Sequence, residues 1–456
     1  MTRALMLAFL AVWTLTNATI NSTWAEEQVP RFLTGRLPAD IGKVSPPDHW
    51  SASDNVLWKA DVPGMGWSSP VVSGDRVVLT TCVNTGIGLE PRKGLYLEDV
   101  DANKYPKVTD KHEWKVLCLD LNTGRTLWDR LAHAGVPPKP HHLKNTLASE
   151  TPTTDGERIY AYFGNLGMYC YDMDGTLLWS HLLPPAETNY GWGTSTSPIV
   201  YQDRVYIVND NEEQSYLLVL NKKTGEEVLR IEREEKTNYA TPFVWENEQR
   251  TELVTSGIGW ARSYDMEGRL LWKLKGKSIL AIPTPFAQLG YLYLTAGHVA
   301  WGGNPLYAIK PGAAGDISLG ETDSINAYIA WSHQKAGPYH PTPLIYGETL
   351  YILYDRGFLA AYDAKTGQEI YARQRIPNGK AFTSSPWAYD GKLFCLNEDG
   401  VTFAIKTGPE FKILYTNRLA DDVMAMATPV IVGDKLLIRT VPQIYCIGSR
   451  DSTASP

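Results

Sequence analysis

The stretch GWSSPVVSGDRVVLTT, residues 66–81, reads as a Ser-Pro pair, an apolar run, a Ser-Gly-Asp turn and a second apolar run. Nearly the same phrase returns as SETPTTDGERIYAYFG, STSPIVYQDRVYIVND, HPTPLIYGETLYILYD, TSSPWAYDGKLFCLNED and MATPVIVGDKLLIRT. Eight Ser/Thr-Pro pairs each precede an apolar run, with their prolines at Pro70, Pro152, Pro198, Pro242, Pro285, Pro343, Pro386 and Pro429. Most are 43 to 46 residues apart; the intervals of 82 after Pro70 and 58 after Pro285 contain insertions. Proline lacks an N–H, so it is tolerated at the first residue of a strand. Units of this period with four short apolar runs predict propeller blades, each begun at its innermost strand by a Ser/Thr-Pro pair.

The second half of each unit has its own phrase. It appears as LCLDLNTGRTLW (117–128), YCYDMDGTLLW (169–179), LVLNKKTGEEVL (218–229), RSYDMEGRLLW (262–272) and AAYDAKTGQEIY (360–371). Asp or Asn opens a tight turn, and Gly124, Gly175, Gly225, Gly268 or Gly367 closes it. Trp128, Trp179 and Trp272 follow on the outer strand, where a bulky ring fills the widening gap between blades. After Pro429 only three strand-like runs remain. NVLWKADVP (55–63) is expected to supply the fourth, with Trp58 in the outer tryptophan position. The expected fold is therefore all-β, an eight-bladed propeller over residues 50–450 closed by the N-terminal strand, which removes the exposed seam. A 26–49 extension precedes it and a polar 451–456 tail follows.

This turn-and-tryptophan phrase resembles the repeat of pyrroloquinoline-quinone (PQQ) propellers, a repeat that outer-membrane assembly propeller lipoproteins share. Longer phrases, among them LKNTLASETPTTDGERIYAYFGN and AGPYHPTPLIYGETLYILYDRGFLAAYDAKTG, are similar to a narrower group of exported PQQ-like propellers. The resemblance implies four-stranded blades, with the loops entering the inner strands and those joining the second and third strands on one upper face. It implies no activity by itself, because propellers host many unrelated functions.

Hydrophobic residues make up 43% and aromatic residues 11% of the 456, enough for a large core. The net charge of −7 argues against a nucleic-acid partner. Residues 1–25 read as an export signal: Arg3, an apolar run from Ala4 to Leu15, and small residues around Ala25 for cleavage. The apolar run is too short to span a bilayer, and no later stretch is apolar enough. The expected location is periplasmic or extracellular, and the expected state monomeric. The five cysteines sit in strand-like runs and read as small packed hydrophobes. The nine histidines show no zinc spacing, and there is no phosphate-binding glycine loop or serine-hydrolase elbow.

The upper-face loops vary most, which is where function concentrates on a repeated frame. The largest insertion, 84–114, should rise over this face, whereas the 311–328 insertion belongs to the opposite one. HHLKNTLASET (141–151) offers His142 and Asn145 as ligand contacts and Lys144 and Glu150 as acid–base groups, with Lys144 or a histidine tuning Glu150. Trp192, between Gly191 and Gly193, is a stacking surface for a sugar or quinone. AGPYHPTP adds Tyr339 and catalytic candidate His340; YDRG adds Arg356. Asp210, Asn211 and Glu213 form an oxygen-rich hairpin of the kind that suits Ca²⁺.

Three functions compete. The first is a platform binding a protein or glycan in an upper-face funnel. The second is a PQQ- and Ca²⁺-dependent dehydrogenase of alcohols or sugars, although the adjacent cysteine pair of many such enzymes is absent. The third is a carbohydrate-active lyase or hydrolase at the channel mouth.

Overall fold

The computed structural model describes residues 28–29, 31–37, 45–86, 93, 108–299, 302–421 and 423–449. The export signal, the polar tail and most of the 84–114 insertion lie outside the described residues. Eight antiparallel sheets of four repeat strands each follow one another around a ring. Their inner strands are Val71–Ser73, Thr153–Thr154, Ile199–Tyr201, Phe243–Glu246, Phe286–Gln288, Leu344–Tyr346, Trp387–Tyr389 and Val430–Val432. Each begins at the residue after a Ser/Thr-Pro proline, and these strands number the blades one to eight.

The closure is as expected. Val56–Asp61 pairs antiparallel with Gln443–Ile447 and is the outer strand of blade eight. Eight apolar clusters pack the molecule, each between two neighbouring blades. Because blades cover one another on both sides, their middle strands are apolar runs such as Val205–Val208 and Leu217–Leu220.

The outer tryptophans clamp these seams. Each of four lies on the turn glycine of the next blade and donates its Nε1–H to a carbonyl in that turn. Trp58 reaches Leu121 O at 2.8 Å, Trp128 reaches Met173 O at 3.0 Å, Trp179 reaches Lys222 O at 3.1 Å and Trp331 reaches Ala364 O at 3.0 Å. A Cβ on Gly124, Gly175, Gly225 or Gly367 would come within 2.7 Å of the ring, and all four glycines have positive φ. Trp272 departs from this pattern. Blade five's turn is expanded into the 311–328 insertion, whose Gly315–Asp316 pairs parallel with Trp272 and Lys273 on the rim of blade four. With no turn carbonyl to meet, Trp272 Nε1 donates to Glu252 of its own blade at 2.7 Å.

The Ser/Thr of each pair has a second purpose. Its hydroxyl accepts the backbone N–H of the equivalent residue in the preceding blade. Ser69 N donates to Thr151, Thr151 N to Ser197 and Ser197 N to Thr241, at 2.9 to 3.1 Å. After a gap, Thr284 N donates to Thr342, Thr342 N to Ser385 and Ser385 N to Thr428, at 2.9 to 3.0 Å. All eight residues are buried. Six links of an eight-membered belt are thus made. The two hydroxyls that the missing links would use, Ser69 Oγ and Thr284 Oγ1, are buried without a partner among the described residues.

The chain also threads its own channel. Gln28–Val29 pairs with the free inner edge of Val72–Ser73. Gly35 O then accepts Ile431 N at 2.7 Å and Arg36 O accepts Ala388 N at 3.0 Å. The buried Arg36 guanidinium bonds Thr342 O and Pro343 O at 3.0 and 3.1 Å. The extension before residue 45 therefore joins blades one, eight, seven and six from the inside.

The belt gives paired expectations. Thr151→Val leaves a buried N–H unpaired and should cost about 1–3 kcal/mol. Ser69→Ala removes a hydroxyl that accepts nothing and should change stability by less than ~0.5 kcal/mol. Denaturant melts of both variants check this; equal losses would refute the belt.

Candidate functional site

A cavity of about 220 Å³ opens where the inner strands begin. Its position follows from strand geometry. The chain entering each belt residue is extended, so alternate side chains face the same way. The residue two before each belt hydroxyl is Trp67, Ser149, Ser195, Tyr239, Ile282, His340, Thr383 or Met426. All eight line the cavity. Belt residues Ser197, Thr342, Ser385 and Thr428 lie against it as well, as does Phe32 of the threaded segment. Upper-face loops complete the walls with His142, Lys144, Asn145, Trp192, His298 and Tyr339.

Six of the candidate residues thus come together: His142, Lys144, Asn145, Trp192, Tyr339 and His340. Asn145 holds loops in place, donating to Trp192 O and Thr194 O at 3.1 and 3.0 Å while its Oδ1 accepts Leu147 N. His142 meets Trp192 edge-on, with ring centroids 5.6 Å apart, and its Nδ1 accepts Lys144 N. Burial, followed by Lys144, His340 and His141, pushes His142 down to about 4. Burial also lowers His298. Both shifts favour the neutral imidazole.

Lys144 does not pair with Glu150. It crosses to blade seven, where Nζ lies 2.6 Å from Glu398 Oε1 and 3.2 Å from Thr383 Oγ1. Glu398 is fully buried, so the cation meets its counter-charge behind the cavity wall. Glu150 precedes Thr151 by one residue and faces the other way, into the blade. Its Oε1 accepts Thr194 Oγ1 at 2.6 Å and Gly164 N at 3.2 Å, and burial pushes its carboxyl up to about 7.

His340 has a different partner. Its Nδ1 is hydrogen-bonded to the Asp355 carboxylate, which also accepts the N–H groups of Tyr339 and His340 at 3.2 and 3.3 Å. Asp355 is buried. The Tyr339 ring lies 3.9 Å from His340 and 4.9 Å from His298. Arg356 is exposed beside this pair and does not line the cavity.

The acidic hairpin is separate from the cavity. Asp210 is held by both prongs of Arg233, at 2.8 and 2.9 Å, with both side chains unexposed. Asn211 Oδ1 accepts the N–H groups of Glu213 and Gln214, and Glu213 is a rim residue 3.6 Å from Lys139. Asp210 is thus engaged in the seam and Asn211 Oδ1 in the hairpin turn. Among the described residues no three His, Cys, Asp or Glu side chains could hold a metal ion. Lys93 of the long insertion reaches Asp399 of blade seven at 2.8 Å, which places that point on the upper face.

The sequence reading missed Phe32, Trp67, Tyr239, His298 and Glu398. The two-residue offset from each Ser/Thr-Pro pair would have found Trp67 and Tyr239; no local signal marks the other three.

Residues 112–259 match the family described as outer membrane protein assembly factor BamB. No curated protein matches the chain. Among solved structures it is similar to BamB from Moraxella catarrhalis, with a TM-score of 0.58 and 11% identity over 88% of this chain and 99% of that one. It is also similar to the computationally designed Ika8 protein, with a TM-score of 0.52 and 10% identity over 87% of this chain and 100% of that one. At these identities the likeness concerns the fold. The chain carries the PQQ-like β-propeller repeat.

The cavity does not suit PQQ, a flat quinone with three carboxylates. Of the cavity's lining residues, the one lysine or arginine, Lys144, is already neutralised by Glu398, and among the described residues no three His, Cys, Asp or Glu side chains group to hold Ca²⁺.

Glu150 generates a pH expectation. Its folded value of about 7 lies above the ordinary 4.5, so the native state holds the proton more tightly. Stability should fall by an amount on the order of 3 kcal/mol as pH rises from about 4.5 to 7, then level off. Comparing melts of Glu150→Gln with the parent chain should show that slope removed; an unchanged slope would contradict the assignment.

Proposed function

We propose that this PQQ-like propeller is an exported receptor for a neutral, hydroxyl-rich ligand, such as the end of a glycan, held in the upper-face cavity. The observation that carries this is the composition of the eight-residue ring: Trp67, Ser149, Ser195, Tyr239, Ile282, His340, Thr383 and Met426. It contains no Asp, Glu, Lys or Arg. Aromatic faces stack on the apolar face of a sugar, and hydroxyls and imidazoles exchange hydrogen bonds with its rim. The volume of about 220 Å³ is below the roughly 300–1,000 Å³ of drug-sized sites, so one or two sugar units fit rather than a folded partner. The one lysine that lines the cavity, Lys144, already has its counter-charge in Glu398.

Calorimetric titration with neutral and uronic-acid oligosaccharides of equal length tests this reading. Neutral chains should bind more tightly. Trp67→Ala and Trp192→Ala should each weaken them about tenfold or more, a loss of about 1.4 kcal/mol. Tighter binding of the acidic chains, or full affinity in both variants, would contradict the proposal.

A further inference from the structure

One ring position carries a group able to move a proton. His340 lines the cavity with its Nδ1 engaged by buried Asp355. Its Nε2 has no hydrogen-bond partner among the described residues. A carboxylate on Nδ1 fixes the tautomer that leaves the Nε2 lone pair available, and it stabilises the imidazolium formed when that nitrogen takes a proton. Structure alone does not require the pair, because Asp355 already accepts two backbone N–H groups.

Elimination narrows the reaction. Hydrolysis of a glycosidic bond uses two carboxyl groups flanking the sugar. Here Asp355 is taken up by His340 and Glu398 by Lys144, and both are buried. An acyl-enzyme route requires a hydroxyl or thiol bonded to the base, and among the described residues none is bonded to His340 Nε2. The remaining nucleophile is water. A donor for a developing oxyanion is present in the same cavity: Trp192, whose buried Nε1–H is unpartnered among the described residues.

Building on the neutral-ligand reading, we propose that the cavity hydrolyses an ester carried by a neutral sugar or polyol, with His340 as general base. Water gives a proton to His340 Nε2 while its oxygen bonds to the carbonyl carbon. The carbonyl electron pair moves onto oxygen and is held by the donor named above. As it returns, the bond to the sugar oxygen breaks and the imidazolium protonates that oxygen. One water is consumed, and one carboxylic acid and one alcohol are released. Asp355 is a positioning residue.

The test uses an O-acetylated neutral oligosaccharide, with acetate release followed over time, and the same oligosaccharide without acetyl groups as a binding probe. The parent chain should release acetate. His340→Gln should weaken the deacetylated probe by less than about tenfold, the loss of one ring contact, while kcat falls by about 100-fold or more. Asp355→Asn should lower kcat by a similar factor with KM little changed, a split that a merely structural role would not give. Binding of the probe without acetate release from the parent would overturn the catalytic inference and leave the receptor reading intact. Failure to bind either oligosaccharide would overturn both. Unchanged turnover in His340→Gln would remove His340 from the mechanism.

Discussion

The structure depends on one hydrogen bond repeated around a ring: a backbone N–H, just before a proline, donated to the hydroxyl of the next blade. At this point the inner strand has not begun, and the following proline has no N–H to offer. The N–H is buried at the channel, where leaving it unpaired costs about 1–3 kcal/mol. Serine or threonine solves this with one side chain per blade and fixes neighbouring blades at a common height. That height has a consequence for function. Residues two positions earlier all arrive at one level and form the cavity ring, whereas residues one position earlier turn into the blades. The same dipeptide therefore builds the frame and selects which side chains a ligand meets.

The seams show how far the repeat can bend. Four tryptophans dock on the glycine turn of the next blade by the same contact. Where blade five expands its turn, Trp272 takes a carboxylate in its own blade, and the expansion itself adds a strand to the rim. Closure uses both chain ends. The outer strand of blade eight comes from residues 56–61, and the residues before it run through the channel and tie four inner strands together. The upper face is then left to carry differences between blades without loss of the ring.

The blade count, the closing strand and the seam role of Trp58, Trp128 and Trp179 were legible in the sequence, because each rests on a local phrase repeated at a fixed spacing. The threaded segment was not, since residues 28–37 repeat nothing and owe their place to edges made elsewhere. At the site, His142, Lys144, Trp192, Tyr339 and His340 could be placed near one mouth from their nearness to Ser/Thr-Pro pairs. Their partners could not. Lys144 finds Glu398 on a blade far along the chain, and Glu150 turns away because of a one-residue change in strand phase. Asp210 was read as a metal ligand, although Arg233 on the outer strand already matches its charge. Pairings between distant blades depend on ring geometry, which local spacing does not encode.

Residue-resolved hydrogen exchange of the eight belt amides is the most direct test of this account. The amides of Ser69, Thr151, Ser197, Thr284, Thr342 and Ser385 should exchange together and slowly, near the rate set by global unfolding. Those of Thr241 and Thr428, whose links are missing, should exchange measurably faster. Six independent and rapid rates, or no difference between the two groups, would contradict a ring held together by this bond.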